Sequence, residues 1–170
     1  MKTSVVIVMG VSGCGKTTVG RLLAERLSGT FADADGFHPA DNIAKMSRGE
    51  PLTDADRAGW LEALRARIET CLTMVGEAPL VVACSALKQR YRQQLLRPGE
   101  PGVFVFLQAS MSAIEKRLQA RSGHFFPPGL LASQFADLEV PTSDEPNVVT
   151  ISTEESRPES VVARVLEQLD

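Results

Sequence analysis

The chain has 170 residues, of which 44% are hydrophobic and 23% are charged, and its formal net charge at pH 7 is −3. This size and balance are typical of one globular domain, and they exclude a disordered chain, a collagen-like chain and a coiled coil. The negative net charge argues against a broad nucleic-acid-binding surface, and no apolar run approaches the roughly 18 residues of a membrane span. We therefore expect a single domain over residues 1–170 that binds neither nucleic acid nor membrane.

Cysteine usage and the N-terminal segment indicate a cytoplasmic protein. The three cysteines, Cys14, Cys71 and Cys84, are odd in number, lie far apart and lack metal-like spacing, which is typical of a reduced intracellular protein. The apolar run Val5–Met9 is too short for a signal peptide, and no small-residue cleavage site follows it. We therefore expect a cytoplasmic location.

The first half of the chain predicts two strands and two helices. Val5–Met9 is predicted as a buried strand because it is apolar on both faces. Thr17–Leu27 is predicted as a helix from its apolar residues at a spacing of four, and Thr30–Ala32 is a shorter strand candidate. A second helix is predicted to begin at Thr53, with two aspartates in its first turn, and to end at Gly76.

The second half continues the alternation of strand and helix. In chain order, the predicted elements are strand Leu80–Cys84, a helix capped by Ser85 and running to Leu96, strand Val103–Leu107, helices Ser112–Arg121 and Pro128–Leu138, and strand Val148–Ser152. The last helix is marked by a capping box of Ser156 and Glu159, with Pro158 in its first turn. Strands that alternate with helices predict an α/β fold with a parallel sheet covered on both faces.

A glycine-rich motif lies between the first predicted strand and the first helix. It reads GVSGCGKT and matches G-x-x-x-x-G-K-[ST], the pattern of a phosphate-binding P-loop. We predict that Lys16 reaches the β- and γ-phosphates of a nucleotide and that the Thr17 hydroxyl takes one Mg²⁺ position. We interpret Cys14 as a small loop residue rather than a redox centre. The predicted nucleotide-binding residues are Gly10, Val11, Ser12, Gly13, Cys14, Gly15, Lys16, Thr17 and Thr18.

The chain lacks the motifs of two large P-loop classes. A GTPase requires a guanine-reading Asn-Lys-x-Asp motif after a later strand, and the sequence has none. The strand Leu80–Cys84 runs into Ser85-Ala86 instead of ending in the Walker-B acid of an ATPase motor. Asp33 and Asp35 are therefore the nearest carboxylates for Mg²⁺, although aspartates in loops most often form turns. Small-molecule kinases can place such an acid at the end of the second strand.

Four further blocks of the sequence resemble the gluconate kinase (gluconokinase) family. They are Asp33–Pro39 with Asn42 and Lys45-Met46; Gly49–Asp54 with Asp56-Arg57 and Trp60; Cys84–Lys88 with Tyr91-Arg92; and Gly123–Phe126 with Ser133–Phe135, Leu138-Glu139 and Pro141. The resemblance runs from Val5 to about Asn147. Ala34 and Gly59 stand where the family often has Gly and Pro, and neither supplies a functional side chain.

The resemblance implies phosphoryl transfer from ATP, with Mg²⁺, to the 6-hydroxyl of D-gluconate, giving 6-phosphogluconate and ADP. It also implies the fold of the nucleoside-monophosphate-kinase group, which is a three-layer α/β P-loop fold with a five-stranded parallel sheet and a helical lid, here at about residues 117–140. Members of the family commonly form homodimers. The residues assigned to gluconate binding are Asp35, His38, Lys45, Arg57, Lys88, Arg92 and His124.

Within that family reading, Lys16, Asp35 and Arg121 are the predicted catalytic residues. Asp35 would accept the proton of the sugar hydroxyl or orient that hydroxyl, and Asp33 would bind the water shell of Mg²⁺. Arg117 and Arg121 are four residues apart, so they share one helical face, and they lead into a block that resembles the lid of the kinase group. That resemblance implies that Arg117 lies against the adenine and that Arg121 reaches the transferring phosphate. Spacing alone is also compatible with an exposed basic helix face.

The carboxylate of gluconate requires local cations in a chain of net charge −3. Arg57 and Arg92 are the candidates for a bidentate contact with it, although either one alone is almost as compatible with a solvated surface charge. Two other functions remain open from the sequence: a P-loop kinase of another small acceptor, such as shikimate or a nucleoside monophosphate, and a non-catalytic nucleotide-binding module.

Overall fold

A computed structural model describes residues 3–74, 76, 78–121, 128–154 and 156–169 of the chain. Its centre is a sheet of five parallel strands in the order β2-β3-β1-β4-β5. The strands are β1 Val5–Met9, β2 Thr30–Asp33, β3 Leu80–Ala83, β4 Gly102–Gln108 and β5 Val148–Ser152. The strand predictions are confirmed, with end shifts of one residue at most.

Seven helices surround the sheet in the part of the chain that the structure describes. They are α1 Lys16–Arg26, α2 Ala40–Ser47, α3 Asp54–Thr73, α4 Gln89–Leu95, α5 Met111–Ala120, α6 Pro128–Asp137 and α7 Pro158–Leu169. A short 3₁₀ turn, Ala34–Phe37, follows β2. None of the helices within the described ranges is both long and apolar enough to cross a membrane.

The two faces of β1 separate the core into two layers. Val5, Ile7 and Met9 pack with the buried face of α3 and with α4, whereas Val6 and Val8 pack with α1 and α7. This alternation follows from the period of two along a strand, and it leaves every β1 residue fully buried. Helices on both faces of a parallel sheet confirm the predicted three-layer α/β fold.

The predicted helix that begins after Ser85 is wrong at its start. Helix α4 begins only at Gln89, and Ser85 does not cap it. The backbone before α4 has other partners: the Ser85 carbonyl accepts from the N–H of Gly10 at 3.2 Å, and the Leu87 carbonyl accepts from the N–H of Glu139 at 2.8 Å. These long-range bonds hold the segment in a non-helical form, which local capping signals cannot reveal.

Helix α2 was not predicted, because it lacks an apolar stripe that packs on the core. Its residues are mostly exposed, including Ile43 at 50%, and only Asn42 is fully buried. Pro39 stands just before its first turn, where the missing N–H of a proline costs nothing. Polar contacts of Asn42 and Lys45 with Asp56 therefore hold this helix against α3.

Helix α3 is fixed at its start by a capping box. The N–H of Thr53 donates to Asp56 Oδ2 at 2.7 Å, and the N–H of Asp56 donates to Thr53 Oγ1 at 3.2 Å. One turn later, the buried Trp60 donates from Nε1 to the Ala34 carbonyl at 2.7 Å. This bond ties α3 to the turn after β2 and sets the position of the neighbouring Asp35.

Candidate active site

The predicted functional residues gather at the carboxyl edge of the sheet, where ligands bind in open α/β folds. The P-loop follows β1, Asp33 ends β2 and Ser85 follows β3. Because these strands are parallel neighbours, their following segments lie side by side. The strand order thus brings together residues that are more than sixty positions apart in the sequence.

The P-loop has backbone geometry that needs glycine at specific places. Gly15, at the start of α1, has φ of 97°, in the left-handed region. A Cβ on Gly10 would lie 2.9 Å from the Leu107 carbonyl oxygen, so a larger residue would push the loop off β4. The side chains of Val11 and Cys14 are buried in the core. The loop therefore faces the solvent chiefly through its backbone and through Ser12, Lys16 and Thr17.

A first cleft of about 260 Å³ opens above the P-loop. Its lining includes nine residues that the sequence assigned to nucleotide, metal or catalysis: Ser12, Gly13, Gly15, Lys16, Thr17, Thr18, Asp33, Asp35 and Arg121. A helix N-terminus and free backbone N–H groups make such a site suited to phosphates. We call this volume the phosphate cleft.

A second cleft of about 380 Å³ lies beside the first, between α2, α3 and α6. Its lining includes Lys16, Asp35, His38, Arg57, Trp60 and Gln134. We call it the acceptor cleft. Ser12, Lys16 and Asp35 line both clefts. A group transferred from one cleft to the other would therefore pass beside one ammonium and one carboxylate.

Asp33 and Asp35 have different local roles in the structure. Asp33 accepts from the N–H of Asp35 at 3.0 Å, which forms the turn after β2, and its other oxygen accepts from Thr17 Oγ1 at 3.3 Å. The carboxylate of Asp35 makes no side-chain hydrogen bond within the described residues, and it lines both clefts. Turn formation thus accounts for Asp33 only in part, and it does not account for Asp35.

His38 is held against α3 by aromatic stacking. Its ring lies 4.4 Å from the Trp60 ring, centroid to centroid, with 13° between the planes. Burial lowers the pKa of His38; nearby Asp35 opposes this shift and Arg57 adds to it. His38 therefore lines the acceptor cleft as a neutral imidazole at pH 7.

Arg57 is the predicted carboxylate ligand that the structure brings to the acceptor cleft. Its guanidinium is largely buried and donates to Asp137 of α6 at 3.3 Å and to the Tyr91 hydroxyl at 3.3 Å. The contact fixes α6 beside α3. With five N–H donors, the guanidinium has capacity left for an anionic acceptor.

Lys45 and Lys88 do not line the acceptor cleft. Lys45 pairs with Asp56 at 2.8 Å, which lowers the pKa of that carboxyl to about 2. Lys88 pairs with Asp54 at 3.0 Å and lies 4.0 Å from Asp137. Both lysines are thus engaged with helix α3, and their assignment to gluconate stays a prediction without a contact to support it.

Arg92 requires a correction, because the structure does not bring it to the cleft. Its side chain is 2% exposed and binds Glu145 in bidentate fashion at 2.6 and 2.7 Å. The same guanidinium donates to the carbonyls of Ala86 and Leu87 at 3.2 Å. Arg92 is therefore a structural residue that anchors the connection between β3 and α4.

We expect Arg92→Met to destabilise the fold by about 3–5 kcal/mol, because it leaves the carboxylate of Glu145 buried without its partner. The KM for the acceptor should stay unchanged in the fraction that folds. Chemical denaturation and steady-state kinetics measure the two quantities. Arg90→Met is the matched control, since Arg90 is half-exposed on the same helix and its replacement should change stability little. A raised acceptor KM with normal stability in Arg92→Met would restore the substrate role.

Gln134 of α6 is a site residue that the sequence reasoning did not single out. Its Oε1 accepts from the N–H of Ser12 at 2.7 Å, and its Nε2 donates to Ser12 Oγ at 2.9 Å. This pair joins the lid helix directly to the P-loop. In the sequence, Gln134 is marked only by its place in the block Ser133–Phe135 that resembles the gluconate kinase family, and only the fold shows that its partner is Ser12. Trp60 and Asn42 were likewise quoted in the blocks without a role.

The arginines of α5 are separated by the fold. Arg121 lines the phosphate cleft. Arg117 instead donates to the backbone carbonyls of Thr153 and Glu154, on the connection after β5, and does not line either cleft. Its contact with adenine stays a prediction. His124, assigned to gluconate, lies outside the described residues.

Comparison with known proteins agrees with this geometry. A family model described as shikimate kinase matches residues 12–170. The chain is 48% identical over 158 residues to a gluconokinase of Gluconobacter oxydans, covering 91% of this chain and 85% of that protein. The crystal structure of a gluconokinase from Sinorhizobium meliloti superposes with a TM-score of 0.86 at 40% identity, covering 99% of this chain and 93% of the other.

Solved shikimate kinases share the fold but much less of the sequence. The enzyme of Bacteroides thetaiotaomicron is 21% identical, with a TM-score of 0.60 over 97% of both chains. The higher identities are those to the gluconokinases, at 48% for the protein of Gluconobacter oxydans and 40% for that of Sinorhizobium meliloti. The chain belongs to the gluconokinase family.

Proposed function

We infer that this protein transfers the γ-phosphoryl group of ATP to the 6-hydroxyl of D-gluconate, giving 6-phospho-D-gluconate and ADP. The observation that carries this function is the junction of two clefts at Lys16 and Asp35. One cleft has the P-loop geometry for a nucleotide, and the other has polar and cationic groups for a small hydroxylated anion. Relatives at 42–48% identity that are named as gluconokinases support the identity of the acceptor.

The roles of the residues follow from where charge develops. Phosphoryl transfer needs little covalent help from the protein, and its catalysis is mainly positioning and electrostatic stabilisation. Lys16 neutralises the β- and γ-phosphates, and Asp35 orients the attacking hydroxyl and accepts its proton. Arg121 reaches the γ-phosphoryl oxygens from the end of α5. In the acceptor cleft, Arg57 binds the carboxylate of gluconate.

Thr17 and Asp33 fit a magnesium ion. The hydroxyl oxygen and the carboxylate oxygen lie 3.3 Å apart, and hard oxygen donors of this kind suit Mg²⁺, which keeps several waters and binds substrate phosphates. The ion would supply positive charge to the β- and γ-phosphates. Thr17 would be a direct ligand, and Asp33 would hold a bound water.

A comparison of four possible phosphoryl acceptors tests this function. ADP release should be followed with ATP and Mg²⁺ in the presence of D-gluconate, glucose, shikimate or AMP. We expect turnover with gluconate, and a kcat/KM for glucose lower by about 10⁴-fold, because glucose lacks the carboxylate that the remaining donors of Arg57 would bind. Shikimate presents its hydroxyl on a rigid ring, and AMP needs a second base pocket, so both should be poor acceptors.

Two outcomes of this comparison would contradict the proposal. Strong turnover of shikimate or AMP, with none of gluconate, would give the protein another acceptor while retaining the P-loop kinase chemistry. Nucleotide binding without turnover of any acceptor would favour a non-catalytic module. The shikimate alternative has a specific basis in the matching family model. A cytoplasmic location stays an expectation from the cysteines and the N-terminal segment, and a homodimer stays an expectation of the family resemblance.

A further inference from the structure

His38 and Asn42 lie one turn apart at the start of α2, beside the acceptor cleft. Asn42 is 4% exposed, which is unusual for an amide on a helix that is otherwise largely exposed. Its Nδ2 atom lies 2.8 Å from the Asp56 carbonyl oxygen and 3.2 Å from His38 Nδ1. The side chain therefore bridges α2, α3 and the histidine ring.

The Asp56 carbonyl determines which way the amide of Asn42 points. A carbonyl oxygen can only accept, so the atom of Asn42 that it contacts must be the NH₂ group. An NH₂ group can only donate. One of its hydrogens goes to the Asp56 carbonyl, so the other must go to His38 Nδ1, which accepts it. A histidine that accepts at Nδ1 and is neutral carries its proton on Nε2.

The rest of the surroundings keep His38 in that single form. Stacking on Trp60 restricts rotation of the ring, and the Trp60 indole is itself tied to the Ala34 carbonyl. Two charged groups face the imidazole and oppose each other, Asp35 from the turn after β2 and Arg57 from α3, while burial disfavours the imidazolium. The described residues provide no hydrogen-bond partner for Nε2, and this nitrogen is not sealed from solvent.

We propose that Asn42 is a positioning residue that locks His38 as the Nε2–H tautomer, so that His38 presents one fixed donor to an oxygen of the acceptor molecule. This assignment of a specificity role rests on the proposed function of the cleft. A fixed donor strengthens the binding of a molecule that has a hydroxyl or carboxylate oxygen at one place. It weakens the binding of a molecule that lacks this oxygen, because the Nε2–H group of His38 is then left unpaired. The lysines and arginines of the site are charged, so they cannot supply a neutral donor.

Nitrogen-15 NMR of histidine-labelled protein tests the tautomer directly, without any acceptor present. The chain has two histidines, so His124→Gln leaves His38 as the single signal. We expect the shifts of a ring protonated on Nε2 and a titration with a pKa below 6.5. A ring protonated on Nδ1, or shifts averaged between tautomers, would overturn the proposal whatever the true acceptor is.

Two variants test the role of Asn42. In Asn42→Asp the carboxylate accepts from the ring, so His38 should move its proton to Nδ1 and its pKa should rise. In Asn42→Ala the tautomers should mix, and kcat/KM for gluconate should fall by about tenfold with the KM for ATP unchanged. Thermal melting checks that each variant folds. If a variant does not fold, the spectrum of the protein with Asn42 intact still shows which tautomer His38 adopts.

These readouts separate the two proposals from each other. An unchanged His38 spectrum in both folded variants would show that Asn42 does not set the tautomer. A confirmed tautomer with no turnover of gluconate would instead refute the proposed function. Loss of stability with an unaltered spectrum and pH profile would leave Asn42 as a purely structural residue, which also overturns the inference.

Discussion

Replacing Lys16 with alanine is expected to lower kcat by roughly 10³-fold or more, because the residue is the ammonium shared by both clefts. Its Nζ donates to the Val11 carbonyl at 3.0 Å, so the side chain folds over the P-loop that would hold the phosphates. No other lysine lines either cleft in the part of the chain that the structure describes. A coupled assay of ADP release with gluconate measures the effect.

Lys116→Ala is the matched control for this experiment. Lys116 is exposed on α5, outside both clefts, and its replacement should leave kcat and KM within about twofold, since isolated surface charges contribute little. Circular dichroism should show both variants folded. Turnover within tenfold of the unmodified protein in Lys16→Ala would remove Lys16 from the reaction and would contradict the P-loop assignment.

The sequence predicts the nucleotide side of the protein better than the acceptor side. The P-loop lies between β1 and α1 in the chain, so the motif and the periodicity of its neighbours are enough to predict its geometry. Thr17 and Asp33 meet because β1 and β2 both pair in parallel with β3, so that their carboxyl ends lie at the same edge of the sheet. These contacts depend on the fold class alone.

The acceptor side depends on pairings that no local pattern records. Arg57 and Arg92 both follow from the same resemblance, yet one lines the cleft and the other binds Glu145 in the interior. The choice is decided by where α4 begins, and that boundary is set by backbone bonds to Gly10 and Glu139. Two arginines with similar sequence evidence thus have opposite roles, because tertiary contacts override the capping signal at Ser85.

Polar side chains whose partners lie far away in the chain are the hardest to predict. Asn42 lies on a helix whose apolar residues do not pack on the core, and Gln134 lies on α6, whose apolar residues face the core. Their partners, the Asp56 carbonyl and Ser12, are distant in the chain. A buried amide needs hydrogen-bond partners, because its burial without them is costly. The burial of such a side chain can therefore be predicted only when its partners are known.

Replacing Asp35 with asparagine is expected to lower kcat for gluconate by about 10²- to 10⁴-fold, which is the usual contribution of a positioned general base. The change is nearly isosteric, but it removes the negative charge and with it the ability to accept a proton. Since the Asp35 side chain makes no hydrogen bond within the described residues, the turn after β2, held by the Asp35 N–H on Asp33, should persist. ATP binding should therefore change little, which equilibrium titration with a non-hydrolysable analogue would check.

Asp41→Asn is the matched control for Asp35, since Asp41 is exposed on α2 nearby and lines neither cleft. The division between kcat and KM decides the role of Asp35. A general base acts chiefly in the transition state, so its loss lowers kcat and kcat/KM together. If kcat is kept and only the KM for gluconate rises, Asp35 binds the acceptor without taking its proton. The reaction would then rest on the electrostatic contribution of Lys16 and Arg121, with the proton leaving the hydroxyl to the phosphoryl group or to water.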